Sequence, residues 1–221
     1  MVPGCVSNLY TQNETRIQLP PLASWAGITY IRAFVTDIDL ENNLLTLDNS
    51  ATPISFDTLS IDIGSRTRHA TTTPGVAEFA IPTRPIGSLV EAISLAESTP
   101  PSSVVVSGAG AAGIELAFAL RARWQALFPT TPFTVTLLDA GPLLVPNESP
   151  ACQAAVTEAL KARNIETMHN VAVSEVREDE LRLEDGRVLP ASTTIWSTGA
   201  QSQALAEVRT REAKGPNWPA E

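Results

Sequence analysis

Three glycines near the middle of the chain have the spacing of a phosphate-binding turn. They are Gly108, Gly110 and Gly113, in the stretch Ser103-Val104-Val105-Val106-Ser107-Gly108-Ala109-Gly110-Ala111-Ala112-Gly113-Ile114-Glu115-Leu116-Ala117. In a G-x-G-x-x-G turn the first glycine permits the tight bend and the second lets backbone approach a pyrophosphate. The third lets the following helix lie close on the strand. The start of that helix offers unpaired N–H groups and the positive end of its dipole to an anion. Asp139 supplies the acid that this chemistry also needs. It ends the run Phe133-Thr134-Val135-Thr136-Leu137-Leu138, 26 positions beyond Gly113. The usual spacing is about 20 residues, and the loop Phe128-Pro129-Thr130-Thr131-Pro132 accounts for the excess. A carboxylate there accepts hydrogen bonds from an adenosine ribose and repels a 2′-phosphate, which favours NAD(H). The bland alternative is a glycine-rich turn in some other α/β protein. It leaves the order strand, glycines, helix, strand and acid unexplained.

These residues can act only if regular elements hold them. The β-branched run Val104 to Val106 reads as a buried parallel strand, and a helix is expected from Ala111 to about Gln125. Before them, a short helix is expected within 16–26, capped by Gly27, then a strand over 28–35. A meander spans Ile38 to Leu47 around Glu41-Asn42-Asn43, and a further strand is expected over 56–63, ending at Gly64-Ser65. Residues 66–83 read as a connecting loop, and 86–95 as a helix. After Asp139, Pro150 opens a helix over 151–163, and strands are expected at 165–168 and 171–176. A hairpin over 181–189 turns at Asp185-Gly186. Finally Thr194-Ile195-Trp196-Ser197 runs into Thr198-Gly199-Ala200.

The two halves repeat. Val35-Thr36-Asp37-Ile38 aligns with Val173-Ser174-Glu175-Val176 at an offset of 138, and Ile61-Asp62-Ile63-Gly64-Ser65 with Trp196-Ser197-Thr198-Gly199-Ala200 at 135. This is a duplicated unit. At the same offset the first copy's glycine turn falls before Met1, so the first unit is expected to be incomplete. The fold class that follows is α/β: a Rossmann-like NAD(P)-binding unit with a β-meander crossover, plus an incomplete FAD-type unit of the same kind.

Composition narrows the function. At 221 residues the chain can build a substantial core. A net charge of −9 with no basic cluster argues against nucleic acid as a partner. Cys5 and Cys152 form no C-x-x-C pair, which points to packing roles and a reducing compartment. His69 and His169 stand apart from any ligand-spaced cluster, so no metal is expected. No membrane span is expected, because the longest apolar run carries Glu115 and three glycines, and no signal peptide, because Met1-Val2-Pro3-Gly4-Cys5 has no basic or long apolar region. Trp25, Trp124 and Trp196 read as core residues.

The sequence resembles the two-dinucleotide-binding-domain flavoproteins: the pyridine nucleotide-disulfide oxidoreductases and the type II NADH dehydrogenases. It is most similar to the NADH-dehydrogenase-like members, some of which are fused ahead of selenide, water dikinase. The resemblance rests on Met1-Val2-Pro3-Gly4, Phe56-Asp57-Thr58-Leu59-Ser60-Ile61-Asp62-Ile63-Gly64-Ser65, Ile81-Pro82-Thr83-Arg84-Pro85 and Gly108 to Ala117. It implies a partial FAD domain over 1–100 and an NAD(P)H domain over 101–200. A tail of unclear origin fills 201–221, and relative to the family the chain is truncated at both ends. Gly108, Ala109, Gly110, Ala111, Ala112, Gly113, Glu115 and Asp139 would contact the nicotinamide dinucleotide, with Gly199 near its nicotinamide end. Val35, Gly64 and Arg84 would fall on the FAD side.

For Glu115 the alternative is a helix-start carboxylate favoured by the dipole, and for Arg84 a solvated loop arginine. No catalytic side chain is assigned, because the flavin carries the chemistry. The implied activity is hydride transfer from NADH to FAD, then electron delivery to a small-molecule acceptor, a quinone among the candidates. A homodimer and a cytoplasmic, membrane-peripheral location are further implications. Two readings of another kind stay open. One is a non-catalytic module that holds NAD(H) without turnover, and the other is a chain in which only the NAD unit folds.

Overall fold

The computed structural model describes residues 2–203 and the backbone of 207–209. The tail expected at 201–221 lies mostly outside the described residues. In chain order the first elements are α1 (Val2–Val6), α2 (Leu19–Ala26), β1 (Val35–Asp39), β2 (Leu44–Leu47) and β3 (Ser50–Ser55). Next come β4 (Ser65–Thr67), α3 (Val76–Phe79), β5 (Ala80–Pro82) and α4 (Ile86–Ala96). The central motif gives β6 (Ser103–Ser107), α5 (Ala111–Leu127) and β7 (Thr134–Leu138). Then follow α6 (Pro150–Ala162), β8 (Ile165–Met168), β9 (Val173–Val176), β10 (Glu180–Leu183) and β11 (Val188–Pro190). The last are β12 (Thr193–Trp196), β13 (Ala200–Ser202) and β14 (Glu207–Arg209). The chain forms two compact units, one from the residues up to Arg16 with Ser65–Ser202, the other from Ile17–Gly64 with β14.

The larger unit is built on a five-stranded parallel sheet in the order β5-β12-β6-β7-β8. Side chains alternate across a strand, and here both sets are buried. Val104, Val106, Val135, Leu137 and Ile195 pack in one core with Leu89 and Ile93 of α4, Leu116, Leu120 and Trp124 of α5, and Leu160 of α6. On the other face Val105, Leu138 and Trp196 pack with Val176, Leu181 and Leu183 of the meander. That meander is antiparallel in the order β11-β10-β9, with Leu181 opposite both Val176 and Leu189. Two covered faces explain why β6 reads as an unbroken β-branched run rather than an alternating one. Each such side chain removed from water contributes about 1.5–3 kcal/mol. Pro150 opens α6 as the sequence suggests, and the structure adds a cap, the Cys152 N–H donating to Ser149 Oγ at 3.3 Å.

In the smaller unit β1, β2 and β3 form a second antiparallel meander, joined on its β1 edge by β14 running parallel. The 138-residue repeat therefore aligns the first strands of two three-stranded meanders. Gly27 caps α2 with a left-handed φ of 68°. Two strands expected in this unit are not formed. Residues 28–34 and 56–63 lack strand structure, and β1 begins only at Val35. A strand exists only where its backbone finds a continuous ladder, and these runs show isolated bonds instead: the Phe34 carbonyl accepts the Asp48 N–H and the Phe56 N–H donates to the Asn43 carbonyl, each at 3.0 Å. Trp25, read from sequence as core, is 84% exposed on α2, whereas Trp124 and Trp196 are buried. Ile38 and Leu47 are the buried apolar residues of this meander.

Candidate functional site

The glycine turn sits at the carboxyl ends of β6, β7 and β12, where open parallel sheets place their ligands. Neighbouring strand ends fix it. The Gly108 N–H donates to the Leu138 carbonyl, and the Ser197 N–H to that of Ser107, each at 2.8 Å. Gly108 adopts φ +108°, and a Cβ there would lie 2.2 Å from the Ser197 carbonyl oxygen. A Cβ on Gly113 would lie 1.8 Å from the Gly108 carbonyl oxygen. Gly110 is different, since a Cβ would meet nothing within 4 Å. Two of the three glycines thus close the protein's own packing, and the third faces open space.

That space adjoins the start of α5. Gly110 is the residue before its first turn and no side chain caps it. The Ile114 N–H closes the first helical bond onto the Gly110 carbonyl at 3.1 Å. First-turn N–H groups, here those of Ala111, Ala112 and Gly113, have no partner within their own helix, and Ala111 and Ala112 are exposed. A cradle of this shape and polarity fits a pyrophosphate.

Asp139 does more than the sequence suggests. Its Oδ2 accepts the Ala109 N–H at 2.6 Å and its Oδ1 the Gly141 N–H at 2.7 Å. The carboxylate therefore clamps the glycine turn as well as facing the cavity, and each oxygen keeps a lone pair for a ribose hydroxyl. Asp139→Ala is expected to lower the unfolding free energy by about 2 kcal/mol before any ligand is added, because the Ala109 N–H loses its acceptor. Urea unfolding of the unliganded protein checks this. An unchanged midpoint would mean that the clamp contributes nothing to the fold.

Two cavities flank the turn. The first, about 430 Å³, is lined by Gly108 and Asp139 together with Arg68, His69, Glu184 and Thr198. The second, about 480 Å³, is lined by Gly110, Ala111, Ala112, Gly113, Glu115 and Gly199. Arg84, placed on the FAD side by the resemblance, lines this second cavity. Ala109 is buried beneath the turn. Glu115 is exposed in the second turn of α5, and the first turn of that helix carries no acid. Its position is therefore not that of a helix-start carboxylate.

Val35 and Gly64 belong to the smaller unit. Val35 lines a cavity of about 560 Å³ with Phe34, Ile38, Leu45, Ile61 and Ile63, and Gly64 has φ +67°. Among the described residues this unit has no strand–glycine-turn–helix of the kind built by Gly108 to Gly113. Arg68, His69 and Glu184 were not legible as site residues. The first two lie in a segment that reads only as a polar connector, and Glu184 lies beside a hairpin turn. Among the described residues no helix is long and apolar enough to cross a membrane.

Comparison with known proteins agrees with this geometry. A family model for pyridine nucleotide-disulphide oxidoreductases matches residues 22–215. Two NADH dehydrogenase-like proteins of Mycobacterium tuberculosis, from strains CDC 1551 / Oshkosh and H37Rv, are each 30% identical over 206 residues. The match covers 87% of this chain and 50% of each relative, so the chain spans about half the length of these curated relatives. Among solved structures, NDH2 of Plasmodium falciparum in complex with NADH superposes with a TM-score of 0.77 at 16% identity. That match covers 91% of this chain and 48% of the other. The water-forming NADH oxidase of Lactobacillus brevis bound to NADH gives 0.75 at 15% identity, over 90% of this chain and 44% of the other. At these identities the structural likeness speaks to the fold alone.

Proposed function

Since the chain belongs to the pyridine nucleotide-disulphide oxidoreductase family of NAD(P)H-dependent flavoproteins, we propose that it provides the NADH-binding part of such an oxidoreductase. The proposed overall activity is hydride transfer from NADH to FAD, followed by electron delivery to a small-molecule acceptor, with a quinone as the acceptor class to test first. The observation that carries the reading is the asymmetry of the glycines: Gly108 and Gly113 closed by backbone, Gly110 open beside the uncapped start of α5. A nicotinamide dinucleotide, when bound, supplies a hydride equivalent. This chain's residues bind and orient it. The N–H groups at the start of α5 receive the pyrophosphate, Asp139 receives the adenosine ribose, and Gly199 and Glu115 border the nicotinamide end. Asp139 also makes a 2′-phosphate unwelcome, which selects NADH over NADPH.

A second reading is a module that holds NADH without turnover. It is favoured by the lack of a second glycine cradle among the described residues. One experiment separates the two readings. Visible absorption of the purified chain is recorded before and after incubation with FAD and removal of the excess, then after NADH addition. Energy transfer from tryptophan reports NADH binding, since Trp196 lines the first cavity. A retained flavin band that bleaches with NADH establishes the oxidoreductase. A colourless protein with saturable NADH binding leaves the module. Absence of NADH binding overturns both.

A further inference from the structure

We propose that Arg68 is a phosphate-binding residue of the dinucleotide site, its guanidinium pairing with the pyrophosphate held at the glycine turn. The inference rests on the nicotinamide-dinucleotide reading above and assigns a task within that site to a segment that sequence presents as a connector.

The backbone around Arg68 is tied to the end of β12. Its N–H donates to the Gly199 carbonyl at 2.9 Å. Its carbonyl accepts the Trp196 indole N–H at 3.0 Å and the Thr198 hydroxyl. Immediately before Arg68, β4 pairs antiparallel with β13, Thr67 opposite Ala200. The main chain at Arg68 is therefore held by residues that line the two cavities, Trp196 the first and Gly199 the second. Thr198 lines both of them.

The side chain is not similarly committed. Among the described residues the guanidinium makes no ion pair, and its one hydrogen bond is a long one, from Nη2 to the Ala200 carbonyl at 3.4 Å. A guanidinium carries five donors in a planar fork suited to phosphate oxygens. It lines the cavity that Gly108 and Asp139 also line, with Glu184 on the wall. Neither acid pairs with it, and Asp139 is engaged with the Ala109 and Gly141 N–H groups. On a chain of net charge −9, a pyrophosphate brought beside Asp139 meets a repulsive local field. An uncommitted arginine at the same cavity offsets that field, with Gly108 of the glycine turn on the same wall.

The test compares Arg68→Met and Arg68→Lys with the unmodified chain, titrating NADH, ADP-ribose and adenosine. Arg68→Met keeps the length and apolar stem and removes the charge, and the backbone bonds above do not involve the guanidinium. Loss of charge-assisted hydrogen bonds weakens NADH and ADP-ribose binding by roughly 10- to 100-fold. Adenosine affinity and the melting temperature stay unchanged, and Arg68→Lys recovers part of the loss. Unaltered NADH affinity in Arg68→Met overturns the proposal. A fall in adenosine affinity in step with NADH also overturns it, since Arg68 would then only support the loop. If the unmodified chain binds neither NADH nor ADP-ribose, the dinucleotide reading itself fails.

Discussion

Gly110→Val is expected to leave the larger unit folded and to abolish measurable NADH binding, while Gly113→Val and Gly108→Ala damage the fold itself. All three positions satisfy one sequence motif, yet their surroundings differ. A side chain at 113 would start 1.8 Å from the Gly108 carbonyl oxygen, and one at 108 would start 2.2 Å from that of Ser197. Backbone cannot yield at either place without separating α5 from β6 or β6 from β12, so each change costs about 3 kcal/mol. Gly108→Ala adds the strain of φ +108°, worth about 1–3 kcal/mol for a side-chain-bearing residue. At 110 the space is empty, and the cost to the fold is the poorer helix start, about 1 kcal/mol. The valine then occupies the place the pyrophosphate needs, and loss of its bonds weakens NADH by more than about 100-fold. Urea unfolding and tryptophan-to-NADH energy transfer on the three variants measure the two effects separately. Equal destabilisation by all three, or retained binding in Gly110→Val, would show that the open space at Gly110 is not the ligand's.

The larger unit was legible in the sequence because its signals are local and mutually consistent. The run Val104 to Val106 reads as buried, and the structure gives the reason, with Val104 and Val106 in one core and Val105 in the other. Pro150 marks the start of α6, and Asp185-Gly186 marks the turn between β10 and β11. In the smaller unit the same kind of reading failed. The apolar runs at 28–34 and 56–63 have strand composition, but composition states only what a chain segment would do beside a partner. Trp25 misled for a similar reason: an aromatic residue at helical spacing gives no information about whether anything covers it. At the site, the glycines and Asp139 were readable because a motif names them. The second task of Asp139, holding the Ala109 and Gly141 N–H groups, needs coordinates, since it depends on where two loops end. Arg68, His69 and Glu184 come together through β4–β13 pairing and the β9–β11 meander, over separations no periodicity reveals.

Arg123 was likewise invisible, and replacing it is expected to cost the larger unit more stability than any other single surface-type substitution. It follows Arg121-Ala122 with no motif to single it out, and it is only 6% exposed. Its Nε pairs with Glu97, just past α4. Nη1 donates to the Val6 carbonyl at 3.0 Å and the Cys5 carbonyl at 3.4 Å at the end of α1, and Nη2 to Ser94 Oγ at 3.4 Å. One guanidinium thus ties α1 and α4 to α5, the helix that follows the glycine turn. Arg123→Ala leaves the Glu97 carboxylate and two carbonyls without their donor, and breaking a buried pair in this way costs about 3–5 kcal/mol. That is a large share of the 5–15 kcal/mol typical of a whole domain. Removing both partners is less costly than removing one, so Arg123→Met with Glu97→Leu should recover part of the loss. NADH affinity of the folded protein should not change, because Arg123 lies ten positions past Gly113, about 15 Å along the helix. Urea midpoints of the single and double variants decide the matter. A loss below about 1 kcal/mol for Arg123→Ala would place the pair with ordinary solvated salt bridges and remove it as the tie between α1, α4 and α5.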